Sequence, residues 1–369
     1  MILKSMSIRD FRNYKSLDID FNSRLTFFIG ENGEGKTNFL ESIQMLSTLK
    51  SFRDNSDDEI LSWNSDTFYL SGSITKDIHD IKLELGYTKK DSKRKKIKLN
   101  GNEISKKIDF IGNLVTVVFS PLDLKIIDGG PAERRKLLDT ILSTINKNYL
   151  INILEYNKIL KHRNSLLKNK TQSVKEFIPW EKMLVERGIS LIEERKNLVH
   201  FLSEKFKNNL LELSGTKDDF EILYKPNIKN IDTYSELLST KRDLDFRLGY
   251  TSIGPHRDDL FIGKENRDIT EFGSQGQKRS TVISLRTAQF QYVKEKINDT
   301  PVLLIDDVIR ELDIKRREFF VNLLLGSGQA FFTTTDLEGI KDYIGDMKEK
   351  VQIFTVKTGE MEEVSIESI

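Results

Sequence analysis

The spacing of apolar residues changes character several times along this chain. Leu17, Ile19 and Phe21 alternate with polar residues, the period of a half-buried strand. Leu25-Thr26-Phe27-Phe28-Ile29 is then a continuous apolar run and reads as a buried strand. Phe39, Leu40, Ile43, Leu46 and Leu49 follow at helical spacing, which predicts a helix beginning near Lys36. Between residues 68 and 110 the alternation returns in Ile81, Leu83 and Leu85, then in Ile97 and Leu99. With Asn100-Gly101 as a tight-turn signal, this stretch predicts a β-meander. Leu114-Val115-Thr116-Val117-Val118-Phe119 predicts a further buried strand, ending at Ser120-Pro121.

From Ala132 to about Leu213 the period is helical. Leu137, Leu138, Ile141, Leu142 and Ile145 mark one amphipathic helix, with Pro131 suited to its first position. Ile153, Leu154, Ile159, Leu160 and Leu166 mark a second. Pro179 is expected to break the pattern, and Trp180, Leu184, Leu191, Leu198 and Leu202 mark a third. About 30 residues of helix span roughly 45 Å, so this is a short arm rather than a long coiled-coil rod. Strand character resumes after Gly215, and the chain is expected to rejoin its first domain by Gly249-Tyr250-Thr251. Pro301-Val302-Leu303-Leu304-Ile305 and Ala330-Phe331-Phe332 are later buried-strand candidates, and residues after Lys350 read as a final hairpin. The expected division is an α/β domain in two parts, 1–128 and 246–369, with a mainly helical arm, 129–245, inserted between them.

Composition narrows the class without naming a function. The 369 residues suit about two domains, and a mean hydropathy of −0.42 with 31% charged residues fits a soluble globular protein. A net charge of +1 means that any nucleic-acid affinity must come from local patches. The absence of cysteine excludes disulfides and thiolate zinc sites. Four histidines supply no ligand cluster. No apolar run is long enough for a membrane span, and no signal-peptide pattern precedes the first strand, so a cytoplasmic location without membrane partners is expected.

The chemistry concentrates in three places. Gly30-Glu31-Asn32-Gly33-Glu34-Gly35-Lys36-Thr37 is a P-loop motif set between a strand and a helix, the context such a motif needs. Backbone N–H groups and the helix dipole there favour phosphate, and the glycines let the backbone close in. Lys36 is expected to reach the β- and γ-phosphates of ATP, and the Thr37 hydroxyl to hold Mg²⁺. The run 301–305 ends in Asp306-Asp307, where a P-loop fold keeps its Walker B acid. Asp306 would bind Mg²⁺ beside Thr37, and Asp307 would orient or deprotonate the attacking water. Between these motifs, Ser274-Gln275-Gly276-Gln277 opens a helix and forms a second phosphate site. One subunit does not need two such sites for one triphosphate. The second makes sense if it serves the nucleotide of a partner subunit.

Other positions stay open on sequence grounds. Arg12 reads as a surface arginine or as a side chain reaching back to the nucleotide. Lys89, Lys90, Lys93, Arg94, Lys95, Lys96 and Lys98 make either a DNA-phosphate patch or a solvated hairpin tip, with Lys93, Arg94, Lys95 and Lys96 at its centre. His256, within Gly254-Pro255-His256-Arg257-Asp258-Asp259, reads as a hydrogen-bonded structural histidine rather than a ligand.

Taken together, the P-loop, the Ser274-Gln275-Gly276-Gln277 signature and Asp306-Asp307 resemble the ATP-binding-cassette ATPase head of the SMC-like DNA-repair proteins. Further segments match the RecF family within that group. They are Arg9-Asp10-Phe11-Arg12-Asn13-Tyr14, Asn38-Phe39-Leu40-Glu41, Phe119-Ser120-Pro121 with Asp123-Leu124, Arg134-Arg135 with Leu138-Asp139, and Gly254 to Asp259. The resemblance implies a slow ATPase with Lys36, Asp306 and Asp307 in catalysis and Ser274 contacting the γ-phosphate of the opposing protomer. It implies an ATP-driven homodimer that binds DNA at single-stranded gaps and single–double-strand junctions and helps to load RecA with RecO and RecR. Arg310-Glu311-Leu312-Asp313 departs from the family's Ser-Glu-Leu-Asp, and no Q-loop glutamine or switch histidine is evident. The nucleotide-binding subunit of a membrane transporter and a non-hydrolysing DNA clamp are the competing readings of the motifs.

Overall fold

A computed structural model describes residues 1–76, 78–90, 93–169, 173–214, 219–308, 316–320, 326–336 and 351–365. Its contacts divide the chain into two units, Met1–Asp123 with Gln289–Ile369, and Leu124–Ala288.

The first unit is built on two six-stranded sheets. One is antiparallel, in the order β2 (Tyr14–Asp20), β1 (Ile2–Phe11), β4 (Thr67–Lys76), β5 (His79–Thr88), β6 (Arg94–Leu99), β7 (Asn102–Ile104). Asn100 and Gly101 both take positive φ, 51° and 80°, as the tight β6–β7 turn requires. The other runs β15 (Glu360–Val364), β14 (Val351–Lys357), β3 (Leu25–Ile29), β13 (Ala330–Thr334), β12 (Val302–Asp306), β8 (Thr116–Phe119). All neighbours in this sheet are parallel except the edge pair β14–β15. Every residue of β3, β12 and β13 is buried, which explains why their sequences are continuous apolar runs instead of alternating ones. Phe27 and Phe332 stack between neighbouring strands β3 and β13 (centroids 4.5 Å apart), and tilted Phe28–Phe39 (4.6 Å) ties the sheet to helix α1 (Lys36–Thr48).

The second unit holds three long helices, α2 (Pro131–Ile145), α3 (Lys147–Lys168) and α4 (Val174–Ser214), and a small sheet, β9 (Glu221–Lys225), β10 (Asp259–Lys264) and β11 (Arg267–Asp268). Two expectations need correction here. Pro179 lies inside α4 and does not break it. One lost i→i−4 bond is tolerated because the flanking Phe177 and Leu184 are fully buried. The division at 246 also moves, because β10 pairs along its length with β9, so residues 246–288 fall with the helices.

Candidate nucleotide site

The P-loop leaves β3 at the carboxyl end of the parallel strands, with β13 and then β12 beside it. In such sheets ligands bind at these strand ends. Gly35 caps α1 at φ 119°, and no side chain caps the helix. The first-turn N–H groups are therefore left for an anion. Gly30 has no room for a side chain, since a Cβ would lie 2.3 Å from the Val356 carbonyl oxygen. Its N–H donates to the Thr334 carbonyl at 3.3 Å, fixing the loop to β13. Lys36 is buried and donates to the loop's own carbonyls, Gly30 at 2.6 Å and Glu31 at 2.8 Å. Glu31, Asn32 and Gly33 are exposed.

Asp306, at the end of β12, meets the P-loop across β13. The Thr37 hydroxyl donates to Asp306 Oδ1 at 2.7 Å, and the Thr333 hydroxyl on the intervening strand donates to the same oxygen at 2.8 Å. Thr37 and Asp306 are thus brought together from opposite ends of the sequence, as the motifs predict. Burial raises the Asp306 carboxyl above the ordinary carboxylate range. The two hydroxyls pull it back, and neighbouring Asp307 pushes it up again. Asp307 takes a left-handed φ of 49°, its N–H donates to Thr333 Oγ1 at 3.1 Å, and its buried Oδ1 has no hydrogen-bond partner. A buried, unpartnered carboxylate oxygen beside a buried carboxylate fits a site completed by something else.

Mg²⁺ fits this donor set. The Thr37 hydroxyl and Asp306 carboxylate are hard oxygen ligands, and Mg²⁺ takes one or two such groups with phosphate oxygens and water. Among the described residues there is no group of three or more acidic, His or Cys side chains that would make an all-protein cage.

Arg12 is engaged elsewhere. Its guanidinium makes a forked pair with Glu41 (3.0 and 2.8 Å) and donates to Asn55 and the Glu59 carbonyl. Glu41 on α1 is fully buried and also accepts from the Ser51 hydroxyl. Arg12 is therefore neither a solvated surface arginine nor free for phosphate. From sequence alone Glu41 has no role beyond its place in the Asn38-Phe39-Leu40-Glu41 segment.

The signature segment belongs to the second unit and opens helix α5 (Gln275–Ile297), whose residues from Gln289 on count with the first. Ser274 Oγ accepts from the Gln277 N–H at 3.2 Å, and Gln277 Oε1 accepts from the Ser274 N–H at 2.9 Å, a reciprocal capping box. Ser274 and Gln275 are exposed and Gly276 half-buried. Arg310, Glu311, Leu312 and Asp313 lie outside the described residues.

Lys89, Lys90 and Lys93 lie in the connection of the antiparallel β5–β6 hairpin, and the rest of the basic stretch runs on into its second strand. Residues from Arg94 form strand β6, and most of its cations are matched. Lys93 pairs with Asp58, Lys95 with Asp57 at 2.6 Å, and Arg94 and Lys96 share Glu103 at 3.7 and 3.5 Å. Burial lowers the Lys95 ammonium below its ordinary range, with Asp57 opposing. Asp57 and Asp58, more than 30 residues away, and Glu103, across the next turn, supply this compensation.

Gly254–Asp259 is a structural knot of the second unit. Buried Asp258 accepts from Arg195 at 2.9 Å, from the Tyr224 hydroxyl and from the Asn227 N–H. Asp259 makes a forked pair with Arg134. His256 pairs through Nδ1 with the Tyr156 hydroxyl at 2.7 Å and through Nε2 with the Thr251 carbonyl at 2.9 Å, and burial lowers it to about 4. The neutral Nε2–H tautomer satisfies both partners.

Comparison with known proteins agrees with this geometry. The family described as RecF/RecN/SMC N terminal domain matches residues 2–362. The chain belongs to this family. The DNA replication and repair protein RecF of Leptospira interrogans is 53% identical over 364 residues, 99% of this chain and 100% of its own. That of Leptospira biflexa is 44% identical over 361 residues, 98% of each chain. A structure of the recombination mediator protein RecF with ATP, in the RecFOR pathway, superposes with a TM-score of 0.88 at 32% identity, covering 98% of this chain and 97% of its own. An Smc head bound to the C-winged helix domain of ScpA gives 0.56 at 16% identity and shares the fold alone. The fold is the RecF/SMC type of ABC ATPase head. Among the described residues no helix is long and apolar enough to cross a membrane.

Proposed function

We propose that this chain is an ATP-dependent DNA-binding protein of recombinational repair and replication restart. The observation that carries the ATP half is the 2.7 Å contact between Thr37 and Asp306, which supports reading the two as joint holders of one metal–phosphate position. The DNA half is supported by full-length similarity to proteins named for DNA replication and repair.

In this reading the N–H groups of 30–37 and the Lys36 ammonium bind the phosphates. Mg²⁺, held by Thr37 and Asp306, would neutralise the β- and γ-phosphates. Asp307 accepts a proton from the attacking water. As an aspartate it reaches one methylene less far than a glutamate, which suits a slow switch rather than a motor. Arg12 contacts ATP only by exchanging its Glu41 partner. Ser274, Gln275, Gly276 and Gln277 bind the γ-phosphate of the opposing protomer, so ATP closes a homodimer and hydrolysis reopens it. The dimer acts in the cytoplasm at single-stranded gaps and single–double-strand junctions and helps RecO and RecR to load RecA.

Light scattering tests the switch. The chain is expected to be monomeric without nucleotide and dimeric with ATP and Mg²⁺, while Ser274→Arg stays monomeric with ATP still bound. A wild-type monomer under both conditions rejects the dimer mechanism.

A further inference from the structure

Behind the P-loop, contacts from two distant turns converge on the Glu34-Gly35 peptide. Asn13, in the β1–β2 turn, uses both ends of its side chain. Nδ2 donates to the Glu34 carbonyl at 2.8 Å, and Oδ1 accepts from Asn38 Nδ2 at 2.8 Å. The neighbouring Tyr14, fully buried, donates its hydroxyl to the Gly35 carbonyl at 3.0 Å. From the far end of the chain, the β14–β15 turn closes on the same peptide. The Gly359 N–H donates to the Glu34 carbonyl at 3.1 Å, and the Thr358 N–H meets the Glu34 carboxylate.

The fit leaves no slack. A Cβ on Gly35 would lie 2.4 Å from Asn13 Nδ2, and one on Gly359 2.5 Å from the Asn13 carbonyl oxygen. Thr358 and Gly359 take φ of 48° and 83°, so the turn is built to present two N–H groups inward. The Glu34-Gly35 peptide, immediately before Lys36, is thereby gripped by both ends of the sequence.

We propose that Asn13 is a positioning residue of the nucleotide site, and that with the Thr358-Gly359 turn it sets the phosphate cradle before ATP arrives. The inference rests on the ATP-binding reading and adds residues that need not touch the nucleotide. A loop with glycines at 30, 33 and 35 has much backbone freedom to lose on binding. The brace transfers that ordering from binding to folding, and a preorganised site binds more tightly. The effect belongs to ground-state binding, so it moves affinity and leaves turnover at saturation nearly alone.

The test is calorimetric binding of ATP and ADP to the full chain, with turnover at saturating ATP and the thermal midpoint without nucleotide. Asn13→Ala is expected to weaken both nucleotides about 10-fold, the loss of one or two hydrogen bonds, with turnover changed less than about 2-fold. Gly359→Ala is expected to weaken both in the same direction, because its Cβ displaces Asn13. Asn13→Asp keeps the acceptor for Asn38 but turns a carboxylate on the Glu34 carbonyl, and is expected not to rescue. Wild-type ATP binding with unchanged affinity in Asn13→Ala and Gly359→Ala overturns the inference, as does a loss confined to turnover. Failure of the wild type to bind ATP overturns the nucleotide reading itself.

Discussion

In the Leu124–Ala288 unit, all three guanidinium nitrogens of buried Arg195 are occupied by Asp139, Tyr149, the Pro255 carbonyl and Asp258. Arg163 is likewise closed by Glu181, Asp245 and Thr251. The Asp306 cluster of the other unit, with Asp306 and Lys36 buried and Thr37 and Asp307 half-buried, is left open. Asp307 Oδ1 has no partner, the N-terminus of α1 lacks a side-chain cap, and Lys36 rests on main-chain carbonyls. Both clusters come from motifs dense in charge. The closed one holds architecture, and the open one leaves polar groups for a ligand to satisfy.

Four experiments separate the two kinds of cluster, beginning with the largest effect. Arg195→Ala leaves Asp258 buried without its cation and should cost about 3–5 kcal/mol in urea unfolding, with ATP affinity retained. A loss under about 1 kcal/mol would mean that the knot is ornamental. Next comes pH. His256 is held near 4 when folded, against about 6.5 unfolded. Between those values the unfolded chain binds the extra proton, so stability is full above about pH 6.5 and falls as pH drops towards 4, by up to about 3 kcal/mol. His256→Gln should flatten that slope in unfolding curves from pH 7 to 4. If both proteins lose stability equally, another group is responsible.

Lys36→Ala reverses the pattern of Arg195→Ala. ATP binding should weaken by about 10- to 100-fold, the worth of a charge-assisted contact, with the thermal midpoint within about 2 °C of wild type. A large drop in midpoint would place Lys36 with the architecture. The smallest effect is expected at the basic strand, where acids already match the cations. Reversing Arg94 and Lys96 to Glu should weaken DNA binding a few-fold and reduce the salt slope by about 1 to 2. An unchanged slope removes the patch from the DNA interface.

The open cluster was legible in the sequence because its geometry is local. Strand, glycine loop and helix are contiguous through 25–49, and Asp306-Asp307 ends a short apolar run whose burial is written in composition. The buried strands and the three helices were legible for the same reason, since periodicity reports burial directly. What escaped depends on pairings remote in sequence. Glu41 claims Arg12, Asp58 and Asp57 pair with Lys93 and Lys95, and Gly359 reaches Glu34 across 325 residues. The arm boundary was misread because β10 looks like any strand until β9 is seen beside it. Pro179 was misread because tertiary packing outweighed local propensity.

Hydrogen exchange with and without ATP and Mg²⁺ tests the contrast most directly. The account predicts added protection at 30–37, 302–307 and 330–334, with a further gain at 274–278 from the partner protomer, and no change around Arg163 and Arg195. Unaltered exchange through 30–37, or protection confined to the Arg163 and Arg195 knots, would contradict it.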